Sequence, residues 1–241
     1  MAHTVRITFQ REFAASAFSP SRYALFACFF TSSAALFSAI IHIAEGGFWT
    51  LEAIWTLSVA LPLPVIASIV TMPMFAGERA AGTYESLTLL PVSMGHVVAG
   101  KFMAAFLSLC VGLFGAMVPW LLLCHALGNR APSSTLLIAP VALLALHAFS
   151  WTALGTLFSS IARRPWMAAS GTILAGSLLI LVWAVFSRLY LGGNYSTTPF
   201  PIYTEIIDAA GGRIAFRSIV FHVSFGILCL FAAARAMELR R

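Results

Sequence analysis

The chain of 241 residues is 60% hydrophobic and 9% charged, with a mean hydropathy of +0.93, which excludes a water-soluble globular domain and indicates a polytopic membrane protein. Its net charge of +6 does not point to nucleic acid, because the basic residues are scattered between apolar runs and form no stripe. Cys28, Cys110, Cys124 and Cys229 lie in or beside apolar segments without a CxxC pair, so they read as buried free thiols and not as a disulfide framework.

Residues 1–20 open the chain with Val5, Phe9, Phe13 and Ala17 at a four-residue step, while Arg6, Arg11 and Glu12 fall on other faces. That pattern predicts an amphipathic helix lying at the membrane interface. Ser19-Pro20-Ser21 breaks it, and Arg22 and Tyr23 supply a basic and an aromatic anchor for the first span. The segment lacks the charged, apolar, small-residue order of a cleaved signal, so the first span is expected to remain in the mature protein.

A hydrocarbon core of about 30 Å needs about 20 apolar residues per helix. Six segments satisfy this: 23–43, 54–76, 102–127, 135–161, 166–189 and 219–236. The expected fold is all-α, a single membrane domain over 1–241 with six transmembrane helices. Pro62, Pro64 and Pro73 in the second span, Pro119 in the third and Pro140 in the fourth each remove a backbone donor and predict kinks. Gly112, Gly115, Gly171, Ala175 and Gly176 permit close helix contact.

Two linkers are long. One, 191–217, contains Gly192-Gly193-Asn194, Pro199, Pro201, Glu205, Asp208, Gly211-Gly212 and Arg213, and is expected to be an extracytoplasmic loop that forms an outer gate or meets an extracytoplasmic partner. The other, 77–100, is the one strongly polar interruption. Of the fourteen basic residues, only Arg130, Arg188, Arg213 and Arg217 fall on the side of the 191–217 loop. The positive-inside rule therefore predicts cytoplasmic termini and a cytoplasmic 77–100 segment.

Within that segment Gly77 and Gly82 loosen the backbone where the second span must end, Thr83 is placed to cap a short helix, and Glu85 lies near that helix's positive end. Leu87, Leu89 and Leu90 give the helix an apolar side, Pro91 stops it, and a new helix opens at Ser93. Such a charged elbow followed by a stiff knob is a contact surface.

Pro73, Phe75, Glu78-Arg79, Gly82-Thr83, Glu85, Leu87, Pro91-Val92-Ser93 and Gly100-Lys101-Phe102 resemble the hallmark loop of ABC-2 type transporter permeases, in particular the branch resembling the gliding-motility permease GldF. Arg11-Glu12-Phe13, Ser19-Pro20 and Tyr23 resemble the entry segment of the same branch; an ordinary amphipathic anchor helix accounts for them equally well. Tyr84-Glu85-Ser86-Leu87 departs from the leucine-rich pattern of those relatives. The resemblance implies a coupling helix that docks into a groove of a separate ATP-binding subunit, with Glu78, Arg79, Gly82, Thr83, Tyr84, Glu85, Leu87 and Pro91 as the coupling residues. Glu78 and Arg79 are expected to brace the end of the second span, and Glu85 to orient the coupling helix. It further implies an exporter in a bacterial inner membrane, a second permease copy or paralogue, and ATP and magnesium held by the partner ATPase. The alternative is a membrane anchor or assembly subunit of ATPase-linked gliding or secretion machinery without cargo.

No catalytic constellation accompanies these features. Gly95 to Lys101 has the spacing of a phosphate-binding loop, but Phe102 replaces the magnesium-binding hydroxyl and no strand precedes it. No GxSxG occurs. His3, His42, His96, His125, His147 and His222 form no HExxH and no close pair on one helix face, so no metal or cofactor site is expected in this chain. His147 lies well inside an apolar span and is expected to hydrogen-bond another helix or face a cavity. Glu45 and Glu52 lie near span ends, leaving no carboxylate at a span centre for a proton-driven carrier.

Overall fold

The computed structural model describes residues 2–17, 19–43, 50–84, 93–126, 134–190 and 201–239. Ten helices carry the fold among these residues: α1 (Ala2–Ala17), α2 (Pro20–Ile43), α3 (Leu51–Ala60), α4 (Leu63–Thr71), α5 (Ala76–Ala80), α6 (Met94–Ala126), α7 (Ser134–Ile161), α8 (Pro165–Tyr190), α9 (Pro201–Ala210) and α10 (Phe216–Glu238). Six stretches are long and apolar enough to cross a membrane: Pro20–His42, Leu51–Thr71, Met94–Leu122, Leu137–Ile161, Pro165–Val182 and Phe216–Glu238. The protein is an all-α polytopic membrane protein, as its hydropathy requires.

The second span is not one kinked helix. Thr50 caps α3, its hydroxyl accepting from the Ala53 N–H at 3.3 Å. Pro62 and Pro64 then stop the ladder, and α4 restarts with Pro62 as its first cap. After Thr71 the chain passes through turns around Pro73 before α5 resumes. Three prolines in twelve residues therefore divide the span into short pieces joined by turns.

α7 is the central member: it packs against α3, α4, α6, α8, α9 and α10, most extensively against α10. The main core lies between α2, α3, α4 and α6, where Phe29, Leu63, Val70, Phe75, Met94 and Leu109 are buried and the Trp55 and Trp120 rings stack at 4.9 Å. Rings fill the sites left by small residues: Phe26 covers Gly112, Phe30 covers Gly115, Phe158 covers Gly171 and Trp151 covers Gly176. The outer faces of α6, α8 and α10 remain apolar and exposed, with Phe114, Leu122, Leu174, Leu181, Ile227 and Leu228 pointing away from the bundle. These are the surfaces a bilayer or a second subunit covers.

Two elements take a more definite form than the sequence expectation gave them. α1 packs lengthwise on α6, burying parts of Val5, Thr8, Phe9, Glu12 and Phe13. This stripe advances by three and four residues, so it follows the 3.6-residue period better than a strict four-residue step. Secondly, within the described part of the second long linker residues 201–210 form α9, which docks on α3 and α7 and buries Glu205, Ile206, Ala209 and Ala210. Its end is a Schellman turn, with Gly212 at φ 77°, the Gly212 N–H on the Ala209 carbonyl and the Arg213 N–H on the Asp208 carbonyl.

Candidate functional site

The site is built around the break in the second span. Pro73 gives no donor, so nearby backbone groups need partners from elsewhere. Ser159 of α7 supplies them: its hydroxyl accepts from the Phe75 N–H at 3.1 Å and the Ala76 N–H at 3.3 Å and donates to the Met72 carbonyl at 3.2 Å. Ser159 and Phe75 are fully buried, so these bonds fix the start of α5 without competition from water.

Arg79 then fastens α5 to the ends of two other helices. Its Nη1 donates to the Ala162 carbonyl at 2.8 Å and its Nη2 to the Ser160 carbonyl at 2.6 Å, with Met237 Sδ of α10 3.3 Å from Nη2. The last carbonyls of a helix have no partner inside it and carry its negative dipole end, so a guanidinium there satisfies both needs. Tyr84 lies under the same guanidinium, 4.6 Å from ring centre to Cζ, and its hydroxyl is 3.8 Å from Met237 Sδ.

Glu78 faces the other way. Lys101 of α6 is 3% exposed, and its ammonium lies 2.7 Å from Glu78 Oε1 and 2.7 Å from Glu12 Oε1. One buried cation thus joins α1, α5 and α6, with the Phe75 ring 5.5 Å away and Arg22 near enough to attract Glu12. The approach of α1 is set by Gly100, where a Cβ would stand 2.9 Å from Thr8 Cβ and 3.1 Å from the Val5 carbonyl. Close packing at Gly100 brings Glu12, one turn beyond Thr8, onto Lys101.

Gly82 ends α5 in a left-handed conformation, φ 73°, with the Gly82 N–H on the Arg79 carbonyl at 3.2 Å and the Thr83 N–H on the Glu78 carbonyl at 2.9 Å. This is a Schellman turn. Thr83 Oγ1 also donates to the Glu78 carbonyl at 3.3 Å. Gly77, expected to loosen a helix end, sits within α5 instead, because the chain breaks earlier, at Pro73, and Ser159 allows the helix to restart.

Glu78, Arg79, Gly82, Thr83 and Tyr84 are therefore drawn into one structure, and Glu12 joins them. Glu78 and Arg79 anchor α5, the element that follows the second span, in opposite directions. On α1, Arg11 is exposed and Phe13 stacks on Phe9 at 5.6 Å; Pro20 opens α2 and Tyr23 is 63% exposed. Glu85, Leu87 and Pro91, with the rest of 85–92, lie outside the described residues. Two contributors were not anticipated as site residues. Lys101 was visible as a lone ammonium eight residues past Ser93 in an otherwise apolar helix, a placement that demands a partner. Ser159 carries no such signal, being one of several small polar residues in α7.

A family model described as ABC-2 family transporter protein matches residues 8–193, a stretch that takes in the Arg79 and Lys101 junctions and five of the six apolar stretches. No curated protein matches the chain. With more than half of its length matched and six apolar stretches of membrane length among the described residues, the chain belongs to the ABC-2 family and is a multi-pass permease subunit of an ABC transporter.

Proposed function

We propose that the chain is the permease of an exporter of the GldF-like branch in a bacterial cytoplasmic membrane, with both termini cytoplasmic, driven by a separate ATPase through a coupling helix in the 77–100 segment. The permease pairs with a second copy or a paralogue above two ATP-binding subunits, which hold ATP and magnesium; this chain contributes no catalytic group.

The observation that carries this reading is the two-way anchoring of α5. A push on the polypeptide just after Tyr84 reaches α7 and α10 through Arg79, and α6 and α1 through Glu78 and Lys101. Four helices thus receive displacement from one short element, which is what a transmission needs: two arrangements of packed spans whose balance a partner shifts. A merely solvated loop would leave these charges in water, where they contribute little.

The test is co-expression with the ATPase encoded beside this gene, purification through a tag on this chain, and ATP hydrolysis by wild type, Arg79→Ala and Glu85→Ala complexes. The expected result is a stable complex whose substrate-stimulated hydrolysis falls at least tenfold in Arg79→Ala and in Glu85→Ala while the subunits stay together. Failure of any ATPase to co-purify, or full stimulation in both variants, overturns the reading.

A further inference from the structure

At the far end of the bundle three polar side chains from three helices converge. His147 of α7 and His222 of α10 present their Nε2 atoms to Glu205 of α9, at 3.8 and 3.7 Å from its Oε2. All three are at least nine-tenths buried, and both Nε2 atoms lack a hydrogen-bond partner. Counting along α7 from His147 to Ser160 and along α10 from His222 to Met237 puts this cluster about 20 Å from the Arg79 junction.

The outer atoms of the cluster are all occupied. His147 Nδ1 is 3.0 Å from the Leu143 carbonyl, which only accepts, so the proton sits on Nδ1. Ser150 Oγ is 2.7 Å from His222 Nδ1 and 3.4 Å from the His222 carbonyl; in the tautomer that carries its proton on Nδ1, the hydroxyl oxygen accepts from Nδ1–H. Glu205 Oε1 accepts a hydrogen bond from the Ser218 hydroxyl at 2.5 Å. In neutral imidazoles with Nδ1 protonated, both Nε2 atoms carry lone pairs. Three Lewis bases then face one another in a buried space with no donor among them, an arrangement that calls for a cation.

We propose that His147, Glu205 and His222 bind a divalent first-row transition metal ion of the zinc class. Two imidazoles and a carboxylate suit such an ion, whereas calcium and magnesium take oxygen ligands and copper(I) prefers sulfur. A tetrahedral ion with bonds of 2.0–2.1 Å holds its ligand atoms about 3.3 Å apart; the two histidine–glutamate separations close by about half an ångström, and all three ligand atoms already lie within 4.8 Å of one another. The protonated Nδ1 atoms on a carbonyl and a hydroxyl, and the serine on the carboxylate, are the outer partners that orient metal ligands. Three protein ligands leave a fourth position for water. The ion ties α9 to α7 and α10, so it locks the segment following the fifth span onto the bundle. Sequence spacing gives no hint of this, since the ligands are 58 and 17 residues apart along the chain.

The experiment takes the full chain, purified in detergent and stripped with a chelator, and adds ZnCl₂ alone. Bound metal is measured by mass spectrometry and thermal unfolding is followed with and without zinc; a variant with all four cysteines changed to serine removes thiolate binding as a source. About one zinc per chain is expected in wild type and in the cysteine-free variant, with a zinc-dependent rise in Tm. Glu205→Gln and His222→Gln should lose the equivalent and the rise while matching the Tm of stripped wild type to within a few degrees. Ser150→Ala, which leaves every ligand in place, should weaken zinc binding by about 10- to 100-fold. Absence of stoichiometric zinc in wild type, or equal zinc in Glu205→Gln, overturns the proposal and leaves a proton as the cation between the three groups.

Discussion

Replacing Lys101 by methionine keeps the length and packing of the side chain and removes only the ammonium that joins Glu12 to Glu78. The two carboxylates, each 2.7 Å from Lys101 Nζ, would then share a site with no cation between them. Breaking a buried ion pair by deleting one partner costs about 3–5 kcal/mol. Here the side chains of Glu12 and Glu78 are 34% and 24% exposed, so water offsets part of the loss and the lower end, about 3 kcal/mol, applies. For a chain of this size that corresponds to a drop in Tm of about 6–12 °C, read by tryptophan fluorescence of detergent-purified protein. The diagnostic comparison is the triple variant Lys101→Met, Glu12→Gln, Glu78→Gln: with no charge left, most of the lost stability should return, because apolar or neutral replacement of a complete buried network is close to neutral. A single variant within about 1 °C of wild type, or a triple variant as unstable as the single, refutes the view that Lys101 holds α1, α5 and α6 together by charge.

Two further outcomes follow from the same junction. Gly82→Val forces a branched side chain into φ 73° where no neighbouring atom lies within 4 Å, so its cost is conformational, about 1–2 kcal/mol, and Gly82→Asn should cost less; equal Tm values for the two would show that the turn tolerates any residue. Ser159→Ala removes one acceptor for two buried N–H groups and should cost about 1–3 kcal/mol, with faster hydrogen exchange at Phe75 and Ala76; unchanged exchange there would mean that another group takes the serine's place.

Much of the fold was legible because the bilayer makes stringent demands. Twenty apolar residues and few charges can be recognised without tertiary knowledge, and all six membrane stretches were. The Gly82 turn was also legible, since an exposed glycine after a charged half-turn has few other uses. Pro73 was read as a kink, whereas it is a full break, because the serine that stabilises the break comes from 86 residues away. Glu205 was assigned to a loop outside the bundle. Its local sequence held a signal: Glu205, Ile206, Ala209 and Ala210 share one helical face, and a carboxylate in an otherwise apolar stripe needs a buried partner. That the partners are His147 and His222 depends on α7 and α10 running side by side, which no spacing along the chain encodes.

α7 touches both ends of this machinery: Leu143, His147 and Ser150 at one end, Ser159, Ser160 and Ala162 at the other. Its one proline, Pro140, lies before this stretch, so the length between the two sites is an unbroken helix. A rigid rod of about 20 Å tilted by about 5° carries its tip nearly 2 Å sideways. Metal coordination tolerates only about 0.2 Å. In the proposed transmission the helix fastened to α5 acts as a mechanical amplifier: a rotation too small to disturb packing at Arg79 is large enough to pull His147 out of register with Glu205. By reciprocity, whatever occupies that distant triad would bias the angle at which α5 is held.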